Sequence, residues 1–152
     1  MSVNHINILT TARGLSSDES KTESDLRSAV SRAYYSAFHC AKELLEKFGI
    51  KFSKGGGVHD KIISILENCN GIDDSMKAGS MLRDLKGDRN DADYNLTDTK
   101  FSKLSNAELR ISTASDICDL IGECEANQYN HMMNSARDYA RTTLQLGLKP
   151  VK

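Results

Sequence analysis

The amino-acid sequence predicts an all-α protein, and three features of its residues support this prediction. Proline, which interrupts helices, occurs only once in the 152 residues, at Pro150. Alanine, leucine, lysine and glutamate, which favour helices, are frequent. Apolar residues recur at three- and four-residue steps along most of the chain, as expected for the buried side of a helix.

The first apolar stripe predicts a short helix from Val3 to Leu15 that ends near Gly14. Its apolar residues are Val3, Ile6, Ile8, Leu9, Ala12 and Leu15. Residues 16–24 are polar and include three acidic side chains. We expect this segment to be a linker or the exposed first turn of the next helix.

A long second helix is predicted from Glu23 to Phe48, with Gly49 as its stop signal. Its core stripe consists of Leu26, Val30, Ala33, Ala37, Ala41, Leu44 and Phe48. Arg32, Tyr35 and His39 lie together on roughly the opposite side, at positions i, i+3 and i+7. This line is either a solvated face or a second, polar interface or ligand groove.

The next predicted elements are a loop at residues 50–57 and a third helix from Val58 to Cys69. The loop carries three glycines, which are compatible with anion binding before a helix. It lacks the G-x-x-x-x-G-K-[ST] pattern of nucleotide-binding loops, so we interpret it as a flexible connector.

A fourth helix is predicted to begin with a cap at Asp73, Asp74 or Ser75 and to run to Leu96. Its apolar stripe consists of Ala78, Leu82, Leu85, Ala92 and Leu96. Arg89 falls in the middle of this stripe. Because a guanidinium keeps its charge, it needs a partner or a ligand on an apolar face. Either Arg89 pairs with Asp93 one turn later, or its planar fork binds a phosphate.

Two glycines weaken this fourth helix, each by about 1 kcal/mol relative to alanine. They are Gly79 and Gly87, and we expect Gly87 to permit close approach of a neighbouring chain. A polar connector follows at residues 97–103, and a fifth helix begins at Leu104. Its stripe consists of Ala107, Ile111, Ala114, Ile117, Ile121 and Cys124.

The pattern beyond the fifth helix is weaker and is diluted by asparagines. Its apolar residues are Met132, Met133, Ala136, Ala140 and Leu144. They belong either to a continuation of the fifth helix or to a sixth helix. We expect the end of the chain, residues 147–152, to be frayed.

Composition and charge exclude several classes of protein. With 39% hydrophobic and 27% charged residues, the chain fits a soluble globular domain. Its net charge of −1 argues against nonspecific electrostatic binding of nucleic acid by the whole surface, so any RNA contact must use a local patch. No apolar run has the length of a membrane span, and the first residues do not resemble a signal peptide.

Chemical motifs for metal or cofactor binding are absent from the sequence. The four cysteines, at positions 40, 69, 118 and 124, have no C-x-x-C spacing. We interpret them as reduced thiols of a cytoplasmic protein. We therefore expect no metal site and no cofactor.

Two segments of the chain form a pair of motifs, Ser31-Arg-Ala-Tyr-Tyr-Ser-Ala-Phe-His39 and Arg89-x-x-Ala-Asp-Tyr94. Together they resemble the HEPN superfamily. Small stand-alone prokaryotic members have similar segments, S-R-A-Y-Y-A-x-F-H and R-x-x-A-D-Y. The resemblance covers residues 1–126 and implies an up-and-down bundle of four to five helices, usually as a homodimer. Residues 127–152 would then form a C-terminal helical extension or the tail of the same domain.

The resemblance also implies RNA cleavage or nucleotide-related binding, often in toxin–antitoxin or antiphage systems. Many relatives pair with a minimal nucleotidyltransferase. Ribonucleases of the superfamily carry R-x4–6-H, in which the arginine corresponds to Arg89. The histidine would fall at Tyr94, Asn95 or Leu96, none of which is histidine. His39 or His59 could replace it only if the fold places one of them beside Arg89.

We derive three hypotheses from these residues. The first is a dimeric RNA-acting protein, a metal-independent endoribonuclease or toxin-like effector with Arg89 as phosphate clamp at the dimer interface. Its candidate catalytic residues are Arg89, Asp93 and Tyr94, and its candidate substrate-binding residues are Arg32, Tyr35 and His39. The second is a non-catalytic companion of an antitoxin, a nucleotidyltransferase or a defence complex, which uses the stripe 132–144 as partner surface. In the third, both motifs only maintain the helices.

Overall fold

The computed structural model describes residues 3–17, 21–53 and 55–151. Expectations for the linker, the glycine-rich loop and the two termini that fall on the remaining residues lie outside this description. The described residues form six α-helices and no β-strand, which confirms the all-α prediction. The helices are α1 (His5–Leu15), α2 (Glu23–Lys47), α3 (Val58–Glu67), α4 (Asp73–Tyr94), α5 (Leu104–Asn127) and α6 (Tyr129–Thr142). None of them has the combination of length and apolar character that crossing a bilayer requires.

The chain divides into two compact units. The first combines Met1–His39 with Leu82–Ile117, and the second combines Cys40–Met81 with Cys118–Lys152. Three long helices, α2, α4 and α5, therefore contribute residues to both units.

In the first unit, a buried cluster joins residues of α2, α4 and α5 with Phe101. Its members are Leu26, Val30, Ala92, Phe101 and Ala107, with Leu104 packed against them. Phe101 lies in a short 3-10 helix, Lys100–Ser102, and is fully buried. The prediction of a plain polar connector was wrong here because a single aromatic residue among polar neighbours has no periodic pattern.

The first helix begins two residues later than predicted, at His5. Asn4 and Asn7 each accept a hydrogen bond from the other's backbone N–H, at 3.0 and 3.1 Å, which forms a capping box. Val3 and Ile6 were assigned to the core stripe, but their exposed fractions are 76% and 61%. That assignment was wrong, because α1 buries only one narrow side. Its buried residues are Leu9 and Ala12.

In the second unit, the C-terminal end is paired rather than frayed. The backbone N–H of Lys51 donates to the carbonyl of Gly147 at 2.9 Å. The backbone N–H of Lys149 donates to the carbonyl of Gly49 at 2.8 Å. Arg137 of α6 also donates to the Lys149 carbonyl, at 2.9 Å. The prediction of a frayed end was wrong for residues 147–149 because their partners lie about 100 positions earlier, where no local pattern shows them.

The weak stripe after the fifth helix forms a separate helix, α6, with Gln128 at its N-cap. Its buried residues are Met132, Ala136 and Ala140. The hydroxyl groups of Tyr139 in α6 and Ser64 in α3 lie 2.7 Å apart and share a hydrogen bond. Met133 and Leu144 of the predicted stripe are half-buried. Because the second unit buries the other three apolar residues, the interpretation of this stripe as a partner surface was wrong for those three.

Gly79 and Gly87, both in α4, have different surroundings. A Cβ atom on Gly79 would lie 2.8 Å from Cγ and 2.9 Å from the backbone nitrogen of Glu67 in α3. A Cβ atom on Gly87 would have no neighbour within 4 Å. Gly79 is thus the glycine that permits a close helix approach within the second unit.

We expect Gly79→Ala and Gly87→Ala to change stability in opposite directions. Both substitutions improve helix propensity, by about 1 kcal/mol. Gly79→Ala also forces overpacking against backbone, so its free energy of unfolding should fall by about 1 kcal/mol overall. Gly87→Ala should raise it by up to about 1 kcal/mol. Urea denaturation measures both, and equal shifts would contradict the close approach of α3 and α4.

Candidate functional site

The C-terminal end of α4 is held by Arg27 of α2, which the sequence interpretation missed. Arg27 is buried, with an exposed fraction of 8%. Its Nη1 donates to the backbone carbonyls of Asp91, Ala92 and Asn95, at 3.2, 3.1 and 3.2 Å. Its Nη2 donates to the carbonyl of Asp98. The last carbonyls of a helix lack donors within the helix, and a cation there also complements the helix dipole.

Arg27 therefore determines where the residues that follow Arg89 lie. Its Nε donates to Glu23 at 2.8 Å, one turn earlier in α2. This Glu23–Arg27 spacing was the only local signal for the interaction. A spacing of four residues is common on exposed helices, so it does not predict the contact with α4.

The helix α4 ends at Tyr94, two residues before the predicted end. The first members of the predicted stripe are buried: Ala78, Leu82, Leu85 and Ala92. Leu96 is 71% exposed, so its assignment to the stripe was wrong. The chain leaves the helix before Leu96, and helical periodicity no longer determines its direction. Tyr94 is 75% exposed, so most of its side chain lies in solvent.

Arg89 is buried, with an exposed fraction of 9%, as the stripe predicted. Its Nη1 lies 3.7 Å from Oδ2 of Asp93. Its guanidinium carbon lies 5.2 and 5.5 Å from the ring centroids of Tyr34 and Tyr35, within the range of cation–π contacts. Among the described residues, its buried Nε has no hydrogen-bond partner. Asp93 and the two tyrosine rings thus compensate the charge of Arg89, while its Nε–H donor makes no hydrogen bond to the described residues.

A cavity of about 530 Å³ in the first unit is lined by Tyr35 and Asp93, two residues that contact Arg89. We call it the Asp93 groove. It is lined by Thr11 and Leu15 of α1, by Ser28, Ser31, Arg32 and Tyr35 of α2, and by Asp93 of α4. Oδ2 of Asp93 accepts a hydrogen bond from the Ser31 hydroxyl at 3.2 Å. The groove therefore has a cation, an anion, hydroxyl groups and an aromatic ring at its surface.

The structure brings most of the predicted site residues together. Arg32 is exposed, whereas Tyr35 and His39 are half-buried. The rings of Tyr35 and His39 are stacked, with centroids 6.4 Å apart and an interplanar angle of 29°. Tyr35 also contacts Arg89, so it connects the two motif segments. Of the predicted site residues, Arg32, Tyr35 and Asp93 line the groove, whereas His39, Arg89 and Tyr94 do not.

On another part of α4, acidic side chains are paired with cations of the first unit. Asp88 accepts from Lys100 at 3.2 Å and from Arg110 at 3.0 Å, and Asp91 accepts from Lys100 at 3.0 Å. Hydrogen bonding to Asp91 raises the pKa of Lys100 above its usual range. These two cations are therefore engaged with acidic partners of their own unit.

Three of the four cysteines have environments that disfavour the reactive thiolate form. Burial raises the pKa of Cys69 and raises that of Cys124 to about 11. A hydrogen bond with Cys118 raises the pKa of Cys40. Among the described residues, no group of three or more His, Cys, Asp or Glu side chains is arranged to hold a metal ion.

The family model described as HEPN domain matches residues 14–124, a range that contains both motif segments. Neither the curated proteins nor the solved structures include a significant match to the chain.

Proposed function

This chain belongs to the HEPN family, and on that premise we propose that it acts on RNA through the Asp93 groove, with Arg89 as the phosphate clamp. In this proposal it is a metal-independent endoribonuclease, or a toxin-like effector of a toxin–antitoxin or antiphage system. The family relationship by itself supports only a nuclease or nucleotide-related role, so the residues of the groove must support the rest.

The observation that carries the proposal is the incomplete coordination of Arg89. A guanidinium has five N–H donors in a planar fork that matches two phosphate oxygens. Arg89 is 9% exposed, yet its Nε has no partner among the described residues, and its carboxylate neighbour lies 3.7 Å away. A buried donor without a partner costs about 1–3 kcal/mol, and a phosphate would remove this cost.

The other residues of the groove suit a single nucleotide strand. Arg32 is exposed and supplies a second cation one turn from Tyr35. Tyr35 lines the groove with a half-buried ring, on which a base can stack. Because the net charge of the chain is −1, binding should depend on these local contacts rather than on a general positive surface.

Cleavage without a metal requires a base for the 2′-OH proton, an acid for the leaving 5′ oxygen, and a cation for the charged phosphorane. We assign the cation to Arg89, with Asp93 and Tyr94 as its neighbours. Tyr94, Asn95 and Leu96 provide no histidine for proton transfer. Within the first unit, His39 stacks on the ring that Arg89 contacts. We therefore assign proton transfer to His39, whose imidazole would take the 2′-OH proton and return it to the leaving 5′ oxygen.

The proposal includes a homodimer with a composite site. Tyr94 and Leu96 are 75% and 71% exposed at the end of α4, and exposed large apolar side chains in proximity favour an interface. Two copies of Arg89 at one interface would repel each other unless carboxylates intervene. Asp93 of each copy supports the arrangement because it supplies this negative charge.

The second candidate function is a non-catalytic companion of an antitoxin, a nucleotidyltransferase or a defence complex. The specific observation that favours it is the absence of histidine at Tyr94, Asn95 and Leu96. A companion of this kind would still bind RNA or a nucleotide at Arg89 and would not cleave it.

Incubation of the purified protein with total RNA and tRNA, in the presence of a chelator, tests the proposal. We expect Arg89→Ala to reduce cleavage by about a hundredfold or more. Arg141→Ala is a matched control, because it removes one arginine that is 66% exposed on α6. Equal background cleavage by the wild type and Arg89→Ala would contradict the endoribonuclease. Arg89-dependent RNA retention without cleavage would support the companion instead.

Sedimentation tests the proposed homodimer and should give twice the chain mass of 16.8 kDa.

A further inference from the structure

We propose that Asp93 holds the place of the ligand's phosphate: its carboxylate occupies the anion position beside Arg89 in the free protein and leaves when a phosphate binds. The inference rests on the proposed role of Arg89 as phosphate clamp. It adds that the Asp93 carboxylate competes with the ligand's phosphate for Arg89, so that removal of the Asp93 charge should strengthen binding.

The contact between Arg89 and Asp93 has the geometry of a replaceable pair. The N–O distance is 3.7 Å, whereas a direct guanidinium–carboxylate hydrogen bond is about 2.7–2.9 Å. The attraction is therefore that of two charges without a directed hydrogen bond. A phosphate that reached the guanidinium would make the hydrogen bonds that Asp93 leaves unmade, including one to Nε.

The position of Asp93 explains why it must move. Arg89 is 9% exposed, and the side chain of Asp93, 28% exposed, lies beside it at the surface of the groove. A phosphate that entered while the carboxylate remained in place would meet a like charge at close range. Binding at Arg89 and retention of Asp93 beside it thus oppose each other.

There is also space into which the carboxylate can move. Asp93 lines a second cavity, which has a volume of about 410 Å³. This cavity is lined by Glu23, Ser24, Arg27 and Ser28 of α2, by Ala92 and Asp93 of α4, and by Leu96. Ser31, which donates to Asp93 at 3.2 Å, is a single neutral donor and does not lock the side chain. A change of the Asp93 side-chain rotamer would then open the path to Arg89.

The test measures binding of a fluorescein-labelled oligodeoxyuridylate by anisotropy at fixed ionic strength. This probe has phosphates and bases but lacks the 2′-OH, so it is not cleaved. Asp93→Asn should lower the dissociation constant about fivefold or more, because it removes a like charge and keeps the shape. Asp84→Asn is the matched control, since Asp84 is an exposed residue of the same helix and the net charge changes equally. Inorganic phosphate should also compete with the probe more strongly in Asp93→Asn.

Two further variants distinguish the loss of the Asp93 carboxylate from a failure to fold and from a general change of charge. Asp93→Ser removes the same charge with a smaller side chain, and it should also bind the probe more tightly if Asp93→Asn does not fold. In the background of Arg89→Met, the gain from Asp93→Asn should disappear. A gain that persists there, or one that Asp84→Asn reproduces, would mean a general charge effect and would overturn the inference.

The outcomes separate this inference from the proposed function. Tighter probe binding by Asp93→Asn, without RNA cleavage by any variant, would support the displacement of Asp93 by phosphate and contradict the endoribonuclease. Arg89-dependent cleavage, together with equal probe binding by Asp93→Asn and Asp84→Asn, would support the endoribonuclease and contradict the displacement of Asp93. Failure of both the wild type and Asp93→Asn to bind the probe would refute the displacement of Asp93 together with the phosphate role of Arg89.

Discussion

Replacement of Arg89 by methionine is expected to weaken RNA binding by about a hundredfold and to change the free energy of unfolding by less than about 1 kcal/mol. Methionine fills similar space and retains favourable contact with the rings of Tyr34 and Tyr35. Removal of one member of a buried ion pair is costly when the other charge stays buried, but the desolvation cost of the removed charge also disappears. The Asp93 carboxylate that remains is 28% exposed and keeps its hydrogen bond from Ser31.

Arg89→Lys separates the effect of charge from that of geometry. Lysine keeps the positive charge but lacks the planar fork, so binding should fall to a value closer to that of Arg89→Met than to that of the wild type. Fluorescence anisotropy measures binding, and urea denaturation measures the free energy of unfolding. A loss of stability of about 3 kcal/mol with unchanged binding would instead assign Arg89 to the structure alone. That result would support the hypothesis in which both motifs only maintain the helices.

The second large effect is expected for Arg27→Met, which should lower the free energy of unfolding by about 3 kcal/mol. The substitution removes one donor from each of four backbone carbonyls at the end of α4 and after it. The carbonyls of Asp91 and Asn95 keep a backbone donor. Those carbonyls lose a buried cationic partner at the negative end of the helix. Because Arg89 lies within the last two turns of the same helix, RNA binding should fall as well.

Glu23→Gln is the control for Arg27→Met. It removes the charge that pairs with Arg27 at 2.8 Å but leaves the bonds between Arg27 and the carbonyls intact. Because the side chain of Glu23 is 46% exposed, we expect a loss of less than about 1 kcal/mol. Hydrogen exchange of the amides at residues 91–98 should increase for Arg27→Met and not for Glu23→Gln. Similar losses of stability for both variants would show that the ion pair, rather than the helix end, is what Arg27 stabilises.

Much of the fold could be predicted from local patterns. The bounds of α2, α3 and α5 agree with the prediction within a few residues, and Gly49, predicted to stop α2, has a positive φ of 85°. The burial of Arg89 was predicted by the same reasoning, since a stripe at helical spacing places every member on one side. These features depend on residues within one or two turns of each other.

The candidate site was predicted only in part. Arg32, Tyr35 and His39 were grouped by helical spacing, and Arg89 was grouped with Asp93. That the two groups meet at the Asp93 groove was not predictable, because the contact joins α2 to α4. The assembly is indicated by the hydrogen bond from Ser31 to Asp93, which spans 62 positions in the sequence.

Local patterns were enough to predict that this protein is helical and that an arginine lies on a buried helix side, because helical periodicity is a local property. The folded structure was needed to find that Arg27 holds the end of α4, that Phe101 enters the core, and that the C-terminal end pairs with Gly49 and Lys51. Each of these features depends on a backbone or side-chain partner that is distant in the sequence. Such partners are selected by packing, which brings a donor and an acceptor together without leaving a pattern in either segment.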